Sequence, residues 1–488
     1  MKTFIFLLPL IICKVSFSQT GWQKVTGFGT NPGALNMFSY APATLPTNAP
    51  LIVVMHGCTQ NAIQVSTQSG WNKLADNHHF YIVYPEQISA NNGSNCFNWF
   101  LPADQSRDLG EPASIKQMVD YMKSHYSIDN ARIFVTGLSA GACMSSVMMA
   151  DYPEIFNKGA LIAGVPFKAA TDIFGANTAT AGNVTKTAQQ WGDLVRNENP
   201  SYMGAFPKVA IFHGSADNVV NVKNATELVK QWTNVNSADQ TADLTINNFN
   251  GNNLVTKNSY YDAQKNEVVQ TYIITNMGHA IALDTGSCYQ QGGVTATYAV
   301  EVNFFSSFWA AYFFGILKAP YTINGLISVS SMQNNVIYTI SGSGGSAYTW
   351  SVPNGASIIS GQGSNSITVN FGTTSGYVSV IETSSSSCKI GPLDLWVTVD
   401  SPSGINVLFT NEDVNIRYDQ YTNTVMIDTK NKEEQSQVKI YQLNGQELAH
   451  RKLMGTSTLT LENTLKPGCY IVEVGVSNTV HRMKILVY

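Results

Sequence analysis

The stretch VTGLSAGACM, residues 135–144, ends an apolar run with a serine between two glycines, leaving Leu138 and Ala140 as the only other side chains between Gly137 and Gly141. A strand that reverses abruptly into a helix forces strained backbone on the residue at its tip. Only small neighbours keep that turn free of clashes, and the result is a G-x-S-x-G elbow that holds a serine Oγ above a sheet edge. Ser139 is therefore a candidate nucleophile, provided that a strand precedes it, a helix follows it and partners exist elsewhere in the chain.

Both flanks are supplied. From Leu51 to Ile316 short apolar runs alternate with helical patterns, which predicts an α/β domain with a mostly parallel sheet and helices on both faces. PLIVVMHG, FYIVYP, RIFVTG, GALIAG, KVAIFHG and VVQTYIITNMGH each read as a buried strand ending at a turn. EPASIKQMVDYMKSHY, residues 111–126, starts with Pro112 after Glu111 and sets Ile115, Met118, Val119 and Met122 at helical spacing.

A serine hydroxyl attacks at neutral pH only if an imidazole takes its proton, and the imidazole needs a carboxylate to fix its tautomer. In hydrolases of this architecture the order is Ser, then Asp or Glu, then His, each at the C-terminal end of a strand. Of the eight histidines, His56, His78, His79 and His125 precede Ser139, His213 comes just before the best carboxylate, and His450 and His481 lie in the last β segment. His279, in TNMGHAIAL, is left as the base. For the carboxylate, Asp217 in VAIFHGSADNVVN sits in a turn just past its strand, whereas Asp262 lies in a hairpin and Asp284 follows His279. Two backbone N–H donors must await the developing oxyanion. Ala140, directly after the nucleophile, is one; Cys58, in the MHGCTQ loop where Gly57 permits close approach, is the other. His56 is expected to hold this loop by hydrogen bonding rather than to move protons. A disulfide from Cys58 to Cys96, in the NCFNWF loop, would stiffen the donor, and Trp99 or Phe100 of that loop is a candidate for lining the acyl cleft, with core packing as the alternative.

These residues resemble the esterase family named for poly(3-hydroxybutyrate) depolymerases, which also holds acetylxylan and feruloyl esterases of carbohydrate esterase family one. HGCTQ, GWNKLAD, YPEQ, NCFNWF, DQSRDLGEPASI, GLSAGACM, DYPEIF and MGHAIALD fall in that family's order across roughly residues 25 to 316. The resemblance implies an α/β-hydrolase fold, export, and Ser139, Asp217 and His279 as the triad. Cys143 departs from it, standing where a small residue such as Ala is expected, and reads as a buried free thiol.

Beyond Pro320 the chain turns rich in Ser, Gly, Thr and Val, with alternating runs such as YTWSV and SITVNF, and a small β-sandwich is expected. Residues 319–402 are similar to a PKD-like or immunoglobulin-like module, through AYTWSVPNGASIISGQGSNSITVNF. SPSG at 401–404 reads as a linker. Residues 403–488 form a second small all-β domain, with a hairpin turn at Asn444–Gly445; VKIYQLNGQEL and LKPGCYIVEV are similar to the C-terminal sorting domain of the type IX secretion system, which implies the outer-membrane secretion machinery as a partner. An adhesive β-sandwich is the alternative for this segment.

The chain ends and the composition limit the rest. MKTFIFLLPLIICKVSFSQ, residues 1–19, has the form of a secretory signal peptide; a lipoprotein would need a small residue before Cys13, and Ile12 is bulky. The hydrolase domain then runs 20–318. FFSSFWAAYFFGIL at 304–317 is too short to span a bilayer and reads as a core helix. With 12% charged residues and a net charge of −4, the chain carries no basic stripe for nucleic acid. The histidines lack metal-ligand spacing, so no metal or cofactor is expected. Seven cysteines less Cys13 leave six, and apart from Cys58 and Cys96 the pairings of Cys143, Cys288, Cys388 and Cys469 stay open. The reading is an exported serine carboxylesterase, secreted or held at the cell surface, acting on polymer-linked esters: acetyl or feruloyl groups on xylan-type polysaccharide, or alternatively a polyester. A protein of another class, an inert surface adhesin, would have no need of the intact constellation.

Overall fold

The structure, a computed structural model, describes residues 20–317, 321–341, 347–400, 406–410, 414–419, 424–429, 435–454, 457–460, 468–476 and 479–487. The signal peptide and the SPSG linker of the sequence reading lie outside these residues. The chain divides into two compact units, Met1–Pro320 with Cys388–Ile390, and Tyr321–Ser387 with Gly391–Tyr488.

The first unit is built on a ten-stranded sheet. Its strands are β1 (Gly21–Val25), β2 (Asn36–Ala41), β3 (Ala49–Met55), β4 (Tyr81–Glu86), β5 (Ile128–Leu138), β6 (Lys158–Ile162), β7 (Lys208–Gly214), β8 (Leu244–Ile246), β9 (Val255–Tyr261) and β10 (Glu267–Ile274), with a small pair β11 (Ile281–Leu283) and β12 (Ala299–Glu301) outside the sheet. The helices are α1 (Ala62–Ser69), α2 (Trp71–His78), α3 (Gly110–His125), α4 (Ala140–Asp151), α5 (Ile173–Thr180), α6 (Ala188–Arg196), α7 (Lys223–Val235) and α8 (Ser306–Phe314). In the order β1-β2-β4-β3-β5-β6-β7-β10-β9-β8 the centre from β4 to β10 is parallel and the edges are antiparallel. Every residue of β3 is buried, because helices cover both sheet faces.

Neighbouring side chains along each strand feed opposite cores, and those two apart share one. Leu51, Val53 and Met55 join Val135, Leu161, Ile211 and the apolar faces of α3, α4, α6 and α7. Ile52 and Val54 join Phe134, Phe212 and the helices α1, α2 and α8. The FFSSFWAAYFFGIL run is thus a core helix: Phe314 stacks on Phe134 at 4.7 Å between ring centroids. No helix among the described residues is long and apolar enough to cross a membrane. With β3, β5, β6, β7 and β10 parallel, their C-terminal ends open on one edge of the sheet, where loops and helix N-termini gather.

In the second unit, two four-stranded sheets over 323–400 enclose a core that includes Tyr338, Trp350, Val369, Val378, Val380 and Val397. The strands over 406–487 form two further four-stranded sheets. Asn444–Gly445 turns a hairpin as expected: Gln442 N–H donates to the Gln446 carbonyl at 2.9 Å, and Gly445 takes φ of 88°.

Candidate active site

Ser139 stands between β5 and α4 with φ 56° and ψ −121°, a conformation that costs a non-glycine residue roughly 1–3 kcal/mol. The glycines around it are required by contact. A Cβ on Gly137 would lie 2.4 Å from the Gly141 carbonyl carbon, and one on Gly141 would lie 2.4 Å from the Met55 carbonyl oxygen. The elbow is held against β6 by the Ser139 N–H, which donates to the Ile162 carbonyl at 2.9 Å. Ser139 as a whole is 9% exposed.

His279 and Asp217 meet across two neighbouring strand ends, β10 and β7. His279 Nδ1–H donates to Asp217 Oδ2 at 2.7 Å. The other carboxylate oxygen, Oδ1, accepts from the amides of Val219 and Val220, both at 2.9 Å, so Asp217 builds its own turn while orienting the imidazole. Burial alone would push this carboxyl up; the hydrogen bond and charge of His279 and the two amides outweigh it and hold the group below its ordinary value. The two loops are laced together by Asn276 N–H to Ser215 Oγ at 2.9 Å and Ala216 N–H to the Met277 carbonyl at 3.0 Å. Of the rival carboxylates, Asp262 accepts from Asn266 and Asp284 from Gln291. Among the described residues no hydrogen bond joins Ser139 Oγ to His279, a contact that in unliganded hydrolases is often long and tightens with substrate.

Gly57 faces the serine, its Cβ position 3.5 Å from Ser139 Cβ. The adjacent Cys58 is disulfide-bonded to Cys96. Ala140 supplies the first amide of α4, one of the four N–H groups a helix start leaves without an intrahelical acceptor. His56 is fully buried and structural in its bonding: Gln87 N–H donates to Nε2 at 3.0 Å, which leaves Nδ1–H to donate to the Gly57 carbonyl at 2.7 Å. Trp99 and Phe100 are only 6% and 7% exposed and pack edge to face within the core, so their burial supports the packing alternative over cleft lining. Cys143 is a buried free thiol, pushed up to about 12 by burial. Cys288 pairs with Cys388, a bridge that sequence spacing left open.

Two buried groups escaped the sequence reading. His213 Nε2–H donates to the Val220 carbonyl at 2.7 Å and lies 3.5 Å from Asp217 Oδ2, and burial lowers its basicity. Its place one residue before a turn glycine was the available signal. Glu111, at the start of α3, is buried and accepts N–H bonds from Gln87 and Asn98. No cluster of three or more candidate metal ligands occurs among the described residues.

A strained serine at a strand-to-helix elbow of an α/β-hydrolase sheet, with an imidazole already oriented by a carboxylate, is an arrangement suited to acyl transfer. The chain belongs to the esterase family of the poly(3-hydroxybutyrate) depolymerases: the family described as esterase PHB depolymerase matches residues 36–246, and a PKD-like domain matches residues 316–391. It is similar to poly(3-hydroxyalkanoate) depolymerase C of Paucimonas lemoignei, 45% identical over 318 residues that cover 65% of this chain and 75% of that protein. It is also similar to feruloyl esterase B of Talaromyces funiculosus, 31% identical over 298 residues covering 60% and 80% of the two chains. Among solved structures an acetyl xylan esterase from Aspergillus awamori superposes with a TM-score of 0.52 at 25% identity, covering 61% of this chain and all of that one.

Proposed function

We propose that the protein hydrolyses polymer-linked carboxylic esters through an acyl-enzyme at Ser139. The observation that carries this is the 2.7 Å bond from His279 to a buried Asp217, which leaves Nε2 of the same ring as the proton acceptor. Ser139 Oγ adds to the ester carbonyl as His279 takes its proton, and the amides of Cys58 and Ala140 receive the oxyanion. Collapse expels the alcohol with the proton from His279. Water, deprotonated by the same imidazole, then releases the acid. No cofactor enters the scheme.

For the polymer, a polyester draws the stronger support. The 45% identity to a poly(3-hydroxyalkanoate) depolymerase exceeds the 31% to a feruloyl esterase. Exposed Ile63, Leu101, Leu109, Ile173, Phe174 and Val219 all lie on segments that follow the C-terminal ends of parallel strands, on the sheet edge that carries Ser139. An apolar rim suits an apolar solid better than a hydrated glycan. Acetyl or feruloyl groups on a xylan-type polysaccharide are the second reading, favoured by the full-length superposition of the acetyl xylan esterase. The two disulfides fit an oxidising compartment. Export by the 1–19 leader, outer-membrane passage through a 403–488 sorting domain and a domain order of 20–318, 319–402 and 403–488 complete the proposal.

The test incubates the mature chain and Ser139→Ala with poly(3-hydroxybutyrate) film, feruloylated arabinoxylan and acetylated xylan, and quantifies each acid released. Serine-dependent 3-hydroxybutyrate supports the first reading and serine-dependent ferulate or acetate the second. Absence of all three, with no turnover of 4-nitrophenyl acetate, overturns both.

A further inference from the structure

Glu111 is 1% exposed, yet no step of ester hydrolysis calls for a carboxylate there. Its bonding is all one-sided. Oε1 accepts from Asn98 Nδ2 at 2.9 Å and from Gln87 Nε2, and Oε2 accepts from the Asn98 amide at 2.9 Å. Three N–H donors converge on two oxygens, so a glutamine of equal volume would turn an N–H toward another N–H. The backbone beneath is equally fixed: Glu111 N–H donates to Asp104 Oδ1 at 2.8 Å, and a Cβ on Gly33 would lie 2.5 Å from the Glu111 Cα.

From these partners two routes lead to the loop that faces the serine. Gln87 donates its side-chain amide to the Cys96 carbonyl at 3.1 Å, and Cys96 is bridged to Cys58. Gln87 also donates its backbone N–H to His56, which in turn holds the Gly57 carbonyl. The Asn98 side of the network returns through Asn92, whose Nδ2 donates to Asn98 Oδ1 at 2.9 Å and whose own Oδ1 accepts from the amides of Ser94 and Cys96. Thr59 N–H then donates to the Ser94 carbonyl at 2.6 Å, zipping the 92–98 loop onto the 57–60 loop.

We propose that Glu111 is a positioning residue for the oxyanion donors: its carboxylate gathers Gln87 and Asn98 so that His56, Cys96 and the disulfide hold the Cys58 amide toward the substrate carbonyl. This rests on the reading of Cys58 and Ala140 as those donors. Burial, with Asp104 nearby, pushes the Glu111 carboxyl up, and the three N–H bonds from Asn98 and Gln87 oppose that rise by favouring the ionised form. The fold bears an electrostatic cost for an acceptor-only group, as expected where donor geometry matters to function.

The experiment compares wild type, Glu111→Gln and Gln87→Met in the full chain, with Ser139→Ala as the control for the site itself. Turnover of 4-nitrophenyl acetate gives kcat and KM, and phenylboronic acid, which forms a tetrahedral adduct on a serine Oγ, reports oxyanion binding. Donors aimed at the transition state act on kcat and on the tetrahedral adduct but not on ground-state binding. Both variants should lose about tenfold to a hundredfold in kcat and weaken boronate inhibition by a similar factor, with KM within about twofold. Gln87→Met covers the case in which Glu111→Gln does not fold. A folded variant of either kind with wild-type kcat and wild-type boronate affinity overturns the proposal. If wild type itself fails to bind boronate or Ser139→Ala retains turnover, the underlying site assignment is what fails.

Discussion

Substituting Gly141 by alanine tests the elbow through contacts that no side-chain rotation can relieve. The added Cβ would lie 2.4 Å from the Met55 carbonyl oxygen and 2.6 Å from that of His56, where ordinary contact starts near 3.4 Å, so about 1 Å of separation must open. Both sides are backbone. One is the first turn of α4, carrying Ser139 and Ala140; the other is the end of β3, leading into Gly57 and Cys58. The substitution therefore drives Ser139 away from the Gly57–Cys58 loop. Overpacking of this kind costs about 1–3 kcal/mol, which for a unit of this size lowers Tm by roughly 2–5 °C. A misplacement of about 1 Å at the reacting atoms costs on the order of 100-fold in rate. Gly278→Ala is the matched control: it adjoins His279, has nothing within 4 Å of its Cβ position, and should stay within about 0.5 kcal/mol of wild type. Thermal melts, kcat on 4-nitrophenyl acetate and the rate of fluorophosphonate labelling read the outcome. A Gly141→Ala protein with wild-type kcat and Tm would refute the argument that this glycine sets the distance between serine and oxyanion loop.

Asp217→Asn should fold and lose on the order of 10⁴ in kcat, since the amide cannot hold the Nδ1–H tautomer of His279. Because the Asp217 carboxyl sits below its ordinary value, its stabilisation is complete above the unfolded value of about 3.9 and disappears as pH falls through the lower folded one; the Tm gap between wild type and Asp217→Asn should shrink at the acid end, and a gap constant from pH 6 to pH 2 would contradict that. Replacing Cys58 and Cys96 together by serine releases a 38-residue constraint, worth about 4 kcal/mol on chain-entropy grounds, and should lower kcat as well as the midpoint of urea unfolding. Phe174→Asp should reduce adsorption to polyester film and film hydrolysis several-fold while leaving 4-nitrophenyl acetate turnover unchanged, since a side chain 80% exposed on the rim contributes little to the fold. Limited proteolysis between residues 321 and 387 should give fragments that separate on a gel only after reduction, because Cys288 and Cys388 lie on either side of the cut.

How much of this was legible in the sequence follows from what each element faces. The six central strands were readable because helices on both faces make them continuous apolar runs; the G-x-S-x-G elbow then pointed to Ser139, chain order to His279, and a turn just past a strand end to Asp217 over Asp262. The edge strands were not: β1 is half-exposed along its length and β8 is three residues of mixed exposure, patterns that loops share. Asp217 was ambiguous between turn former and triad member. The two readings do not exclude each other, since Oδ1 closes the turn while Oδ2 holds His279. Cys288 and Cys388 stand 100 residues apart, a distance over which spacing carries no pairing rule.

Glu111 marks the deeper limit. At the start of a helix a glutamate normally needs no more explanation than the helix dipole. What sets this one apart is the convergence of Gln87 and Asn98, which stand on a loop made irregular by Asn and Gly and are gathered only by folding. Motif reading finds residues that touch substrate because chemistry restricts their type and order. It misses residues that position them, since a carboxylate, an amide and a disulfide can be arranged in many sequences to hold one loop. In this protein the loop so held faces Ser139 through Gly57, and Gly141, two residues beyond the serine, packs against the Met55 and His56 carbonyls that lead into that loop. Ser139 and the Cys58 loop are thus packed as one unit, Gly141 of α4 abutting the end of β3 and Glu111 of α3 gathering the loops behind Cys58, and on the proposed roles perturbing either end should change the same transition-state contact.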